Sequence, residues 1–271
     1  LKVIQEKIAL SLNSAEIILR DINAIGISWS GAVKEGRIVV KDGTIVENFS
    51  DKEYQKLIST FNVHIAQELN NKPTYLINDG DAHGFAAMIE SKADNLLTLA
   101  IGIGLGTSYF DGNKNHTKLL PAGMLGEMGN VVIDISRFAT QHLFTSMPGA
   151  LRMYLSTYGI ERLAQRAGVE VDFTGIPQEV RAKSVGEKLI SGDPKAQETY
   201  AHLGKYLATA VKEISRILNI EHVYITGGAI QGEAGEWVAK QANEILHREY
   251  DRTDITVSLV SDRVYNGAIG A

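Results

Sequence analysis

The sequence predicts an α/β fold, and three observations predict it. Apolar, strand-like runs alternate with helices of three-to-four periodicity. Glycine-rich turns follow the ends of the strands. No low-complexity segment and no repeat of about 20–50 residues interrupts this alternation.

The elements follow in order. Val3, Ile4, Ile8, Leu12, Ile17 and Ile18 mark an opening helix, and residues 24–29 a short strand ended by Ser30-Gly31. Residues 36–46 read as a hairpin turning at Asp42-Gly43. Residues 51–70 form an amphipathic helix capped by Ser50 or Asp51, with Tyr54, Leu57, Ile58, Phe61, Ile65 and Leu69 on one face. Pro73 ends it, and a buried strand over 74–77 leads through Asn78-Asp79-Gly80 into a helix over 82–91. Short strands separated by glycines run from Asn95 to about Ile133, and residues 138–191 read as mostly helical. The strongest helix spans 194–218, with Leu203, Leu207, Ala210, Val211, Ile214, Ile217 and Leu218 as its stripe. A strand over 223–226, the pair Gly227-Gly228, a helix over 236–247 and a last strand over 254–260 complete the pattern.

Composition narrows the function classes. Of 271 residues, 44% are hydrophobic and 22% charged, the balance of a globular chain with a sizeable core. A formal charge of −5 without a long Lys/Arg run gives no footprint for nucleic acid. No apolar stretch approaches the roughly 20 residues that span a bilayer, so no membrane partner is expected. With no cysteine there is no disulfide, thiol nucleophile or cysteine-ligated metal, a composition that suits a cytoplasmic protein.

Several short patterns carry chemistry, each with a structural alternative. In residues 102–107, Gly102, Gly104 and Gly106 alternate with Ile103 and Leu105, so that backbone N–H groups can crowd an anion; a tight hairpin needing positive φ angles explains them as well. Gly227 and Gly228 stand between a strand and a helix, a geometry suited to a nucleotide. Asn78-Asp79 after a strand can place a carboxylate in a cleft as a general base, or can cap the next helix, a task Asp81 can share. Glu127 and Asn130, around Gly126 and Gly129, suit vicinal sugar hydroxyls or form a turn with a solvated Glu. His83 and His116 read as structural or surface residues, because nothing pairs with them at a useful spacing, and Trp29 and Trp237 read as core anchors.

The joint order of these patterns carries more than any one of them. Ile-Gly-Ile then Ser-Gly (25–31), Asn-Asp (78–79), Gly-x-Gly-x-Gly (102–106), Gly-Glu-x-Gly (126–129), Ser-Gly-Asp-Pro (191–194), Ile-Thr-Gly-Gly (225–228) and Asn-Gly-Ala-Ile-Gly-Ala (266–271) follow one another. Over nearly its whole length the chain resembles the repressor/open-reading-frame/kinase (ROK) family of sugar kinases and sugar-responsive repressors. Residues 77–112 are also similar to polyphosphate-dependent glucokinases. The resemblance implies a two-lobed actin-like ATPase (ribonuclease H-like) fold, with residues 1–94 as an N-terminal lobe and 95–271 as a C-terminal lobe whose last residues return to the first. It implies a glucokinase-like enzyme that phosphorylates a hexose or hexose derivative, with ATP as donor and Mg2+ bound to the phosphates. Asp79 would be the catalytic base, and Asn78 and Glu127 sugar ligands, with Asn130 and Arg152 on the substrate side. Gly102, Gly104 and Gly106 would form one phosphate loop, and Gly227 with Gly228 the adenosine-side loop. A homodimer is common in such a family, although no stripe marks an interface.

The chain also departs from the family. Its opening Asp-x-Gly-Gly-Thr hairpin has no match, and the first residue is Leu1, so the N-terminal lobe is expected to be incomplete: either the chain is a piece of a longer protein or part of the phosphate site is gone. Asn130 replaces a histidine that commonly binds sugar and zinc, and no structural zinc is expected. Residues 149–152 place Arg152 where a sugar-binding carboxylate often stands, which favours an anionic or amino sugar. Ile103 replaces a hydroxyl residue, removing a phosphate contact worth about 1.5–3 kcal/mol. These changes also fit a non-catalytic sugar-binding member.

Overall fold

The computed structural model describes residues 2–31, 33–34, 36–38, 50–91, 93–113, 116–120, 128–143 and 146–260. Helix α1 (Lys2–Ser14) stops short of its expected stripe. The chain turns through Glu16 at φ 55°, and Ile17 and Ile18 are left exposed. Strand β1 (Ile25–Trp29) precedes a small hairpin, β2 (Val33–Lys34) with β3 (Arg37–Ile38). That hairpin turns at Gly36, where φ is +71°, whereas Asp42-Gly43 lies outside the described residues.

Helix α2 (Asp51–Glu68) begins at Ser50 in a reciprocal cap: Ser50 Oγ accepts from the Glu53 N–H, and Glu53 Oε2 accepts from the Ser50 N–H. Strand β4 (Thr74–Asn78) pairs in parallel with β1, setting Trp29 opposite Asn78. Only Leu76 of β4 is buried and Tyr75 is exposed, because β1 is its one partner among the described strands. Trp29 anchors this layer against Val33, Ile38, Tyr54 and Leu76, with its ring 5.2 Å from that of Phe61. Helix α3 (Asp79–Ser91) starts directly at the end of β4, three residues before the sequence places it.

From Leu96 a second sheet begins. It comprises β5 (Leu96–Ile101), β6 (Leu105–Asn113), β7 (His116–Leu120), β8 (His222–Thr226) and β9 (Thr256–Leu259) in the order β7-β6-β5-β8-β9. β5 is antiparallel to β6 but parallel to β8, and β8 is parallel to β9. The main core lies on one face of this sheet, under α4 (Thr157–Ala167), α5 (Gln178–Ile190), α6 (Pro194–Ile214) and α7 (Glu233–Arg248). Asp193 caps α6 through the N–H groups of Lys195 and Ala196, and Leu203, Leu207, Ala210, Val211 and Ile214 are buried as the stripe requires. Ile217 lies beyond the helix end and is 83% exposed. Trp237 on α7 packs against the core as expected.

Residues 138–156 are not the helices that the pattern suggests. Ser146 and Gly149 both take positive φ, which ends helical propagation, and the segment closes through the isolated bridges Val132↔Ala150 and Gln141↔Pro148. Tyr154 OH donates to Asp134 Oδ2 at 2.7 Å and accepts from the Thr140 N–H, fastening the loop to its own end. That bond holds the Asp134 carboxyl below its ordinary value of 3.8. A lowered carboxyl contributes stability above its unfolded value, and the contribution is lost as pH falls through the lowered one. Tyr154→Phe is expected to lower stability by about 1 kcal/mol near neutral pH, with a smaller deficit in acid, as denaturant titration at two pH values measures. Among the described residues, no helix is long and apolar enough to cross a membrane.

Candidate functional site

The site is assembled where β5 and β8 end, β6 begins and α3 starts. Asn78, the last residue of β4, caps α3: its Oδ1 accepts from the N–H groups of Gly80 and Asp81, at 2.8 and 3.2 Å. Its Nδ2 donates to the Gly31 carbonyl at 2.8 Å, tying the turn after β1 to the start of α3. Asp79 is thereby free of the capping task and stands on the first turn of the helix. Burial pushes its carboxyl above the ordinary value of 3.8, opposed by the Gly80 N–H, His83 and the Ser30 hydroxyl. A carboxylate so placed is a stronger base than one in water.

Two close backbone approaches join the glycine turns to their neighbours, one of them at the residue after Asp79. A methyl group on Gly80 would lie 3.0 Å from the Thr107 nitrogen, and one on Gly106 would lie 3.2 Å from Gly80 Cα. Glycine on both sides lets the start of α3 rest directly on the start of β6. Gly227 takes φ +109°, and a methyl group there would lie 2.4 Å from the Ile101 carbonyl oxygen. The turn after β8 is therefore pressed against the end of β5, beside Gly102. Thr157, the first residue of α4, holds the Gly102 carbonyl with both its N–H (2.8 Å) and its hydroxyl (3.0 Å).

Positive φ is not what residues 102–106 need: Gly227 has it, whereas Gly102, Gly104 and Gly106 do not. Gly102, Gly104 and Gly228 instead face space in which nothing stands within 4 Å of a methyl position. Open backbone of this kind can border a phosphate, although the Gly102 N–H itself donates to the Gly104 carbonyl at 3.0 Å. Ile103, 48% exposed, stands in the same turn. No group of three His, Cys, Asp or Glu side chains able to hold a metal occurs among the described residues. A divalent ion that keeps its waters and binds through nucleotide phosphates does not require one.

The substrate-side candidates are partly joined. Residues 128–130 form a short 3-10 turn, and a methyl group on Gly129 would lie 3.3 Å from the Leu105 carbonyl oxygen and 3.4 Å from Arg152 Cβ. Asn130 and Arg152 thus flank one bridged segment at the start of β6, with Arg152 Nη1 3.4 Å from Nε2 of the buried His142. Glu127 lies outside the described residues. The sequence reads His83 as structural or surface for want of a partner, whereas α3 starts early enough to put it on one face with Asp79 at i,i+4; that spacing was the available signal. Ser30 and Thr157 carried no comparable signal.

The α/β architecture, with a small and a larger sheet and α3 resting on the glycine turn that opens β6, matches the actin-like ATPase fold of sugar kinases. A glucokinase of Streptomyces griseus, solved with glucose and AMPPNP, has this fold; it superposes with a TM-score of 0.71 at 17% identity, over 99% of this chain and 86% of that one. The chain belongs to the ROK family, whose model matches residues 2–271. An N-acetylmannosamine kinase of Escherichia coli is 22% identical over 208 residues, 76% of this chain and 64% of that protein. A glucokinase of Halalkalibacterium halodurans is 25% identical over 187 residues, 64% of this chain and 54% of that protein. The chain therefore spans less than two thirds of the length of the curated relatives it matches.

Proposed function

We propose that the chain carries the phosphotransfer site of a sugar kinase, which moves a phosphoryl group from ATP to a hydroxyl of a hexose or hexose derivative. The observation that carries this reading is the Gly80–Gly106 contact, which sets the half-buried Asp79, at the start of α3, beside the glycine turn that opens β6. Asp79 takes the hydroxyl proton of the sugar, whose oxygen then attacks the phosphorus. Gly102, Gly104 and Gly106 cradle the phosphates on one side, and Gly227-Gly228 flanks the nucleotide on the other. A divalent ion, Mg2+ in this reading, neutralises phosphate charge. The second Nδ2 hydrogen of Asn78 remains for a sugar hydroxyl, with Asn130, Arg152 and Glu127 completing the substrate side. Residues 1–94 and 95–271 act as two lobes closing on the cleft. A homodimeric state rests on the family resemblance, and a cytoplasmic location on the cysteine-free composition.

The test is phosphotransfer by the purified protein, with glucose, N-acetylmannosamine and acidic sugars as acceptors and ATP or polyphosphate as donor. Phosphorylated sugar supports the proposal, and none from any pair sinks it. A cation at residue 152 favours an anionic acceptor. Arg152→Gln is expected to raise KM for an acidic sugar about tenfold or more while changing KM for a neutral one less than threefold. An equal change for both would remove the charge argument.

The exposed Ile103 favours a second reading, a sugar-binding member without catalysis. In that case a sugar raises Tm and ATP with magnesium does not.

A further inference from the structure

His83 follows Asp79 by one turn of α3, the spacing that puts two side chains on one helix face. Its ring is half-buried, and its Nδ1 is enclosed without a hydrogen-bond partner among the described residues. A native protein seldom leaves a buried ring nitrogen in that condition, so the position calls for a reason. The surroundings supply one. The strands β1, β4, β5 and β6 pack against α3, and their titratable side chains are Tyr75 on β4 and Tyr109 and Asp111 on β6. Tyr75 and Asp111 are exposed, and Tyr109 OH donates to the Asn219 carbonyl. On α3 itself the remaining charged residues are Asp81 and Glu90. Among the described residues of these elements, His83 is the one group able to put a positive charge beside Asp79.

We infer that His83 is a positioning residue that keeps Asp79 ionised and ready to take a proton. The inference rests on the reading of Asp79 as the base. Burial pushes the Asp79 carboxyl up and the His83 imidazole down, while the attraction between their charged forms opposes both effects. The two groups therefore titrate as a pair. When Asp79 takes the proton of the sugar hydroxyl it becomes neutral, and the support it lends to a charged His83 ends. Without His83, the carboxyl stays protonated to higher pH and the base is lost over part of the acid range.

Reciprocal titration by NMR tests the pair directly. In Asp79→Asn, the midpoint of the His83 ring nitrogens is expected to fall by at least about half a pH unit. In His83→Gln, the midpoint of the Asp79 carboxyl carbon is expected to rise by a similar amount. Each variant reads the other residue, so failure of one to fold leaves the second arm decisive. The acid limb of kcat/KM for the sugar moves to higher pH in His83→Gln, a displacement that a merely structural role does not cause. Unmoved midpoints in an active enzyme overturn the pair and leave the kinase reading intact. Coupled midpoints without phosphorylation of any sugar overturn the kinase reading and leave the pair intact.

Discussion

Asp79→Asn is expected to lower kcat by about 10²–10⁴-fold, the usual contribution of a general base, while the sugar still binds within a few-fold of its original affinity. The amide keeps the size of the side chain and can still accept from the Gly80 N–H, as Asp79 Oδ1 does at 2.9 Å. It cannot take a proton at neutral pH. The same substitution is expected to raise Tm near neutrality. The sign follows from the direction of the shift: burial raises the folded-state value of Asp79, so its favourable contribution is complete in acid and disappears as pH rises through that value. Near neutrality an ionised Asp79 therefore burdens the fold, and the neutral amide relieves it. Thermal melts at acid and neutral pH measure this, with the gain confined to the neutral sample. A drop in Tm at both pH values would show that Asp79 is structural, and an unchanged kcat would exclude it as the base.

The second large effect separates two neighbouring glycines. Gly227→Ala is expected to destabilise the protein by about 3 kcal/mol, since the residue sits at φ +109° and its new methyl would meet the Ile101 carbonyl oxygen at 2.4 Å. Gly228→Ala meets nothing within 4 Å, so stability is expected to stay within about 0.5 kcal/mol. Its methyl instead enters the open space at the turn after β8, and KM for ATP is expected to rise about tenfold or more if the nucleotide lies there. Chemical denaturation and nucleotide-dependence kinetics separate the two. If Gly228→Ala binds ATP normally, the nucleotide does not lie on this turn.

Much of this architecture is legible in the residues. The glycine turns, the capped helices at Ser50 and Asp193, and the stripe of α6 follow from local pattern, because each is decided by residues three or four apart. What escapes is non-local. Gly80 and Gly106 each look like an ordinary turn or helix-start residue; that they exist for one another requires knowing that α3 lies on β6. The spacing of Asp79 and His83 was readable, but only once the helix was known to begin at Asp79 rather than at residue 82. Residues 138–156 mislead because their apolar spacing suits a helix, while Ser146, Pro148 and Gly149 turn the backbone out of one. Of the two readings of Asn78-Asp79, the cap is what the hydrogen bonds show: Asn78 accepts from the N–H groups of Gly80 and Asp81, which leaves Asp79 without that task.

The strand order also fixes when such a cleft can exist. β5 meets its parallel neighbour β8 only after α4, α5 and α6 have been traversed, and Asn95 Nδ2 reaches Glu221 Oε1 across 126 positions. Closing that span carries an entropic cost that must be met before Gly227 can seat against Ile101. A growing chain on the ribosome therefore completes Asp79 and the first glycine turn early, but holds them without their opposite wall until α6 and β8 have emerged. If the proposed function holds, nucleotide binding is a late event in synthesis, and a chain interrupted before β8 is expected not to engage ATP.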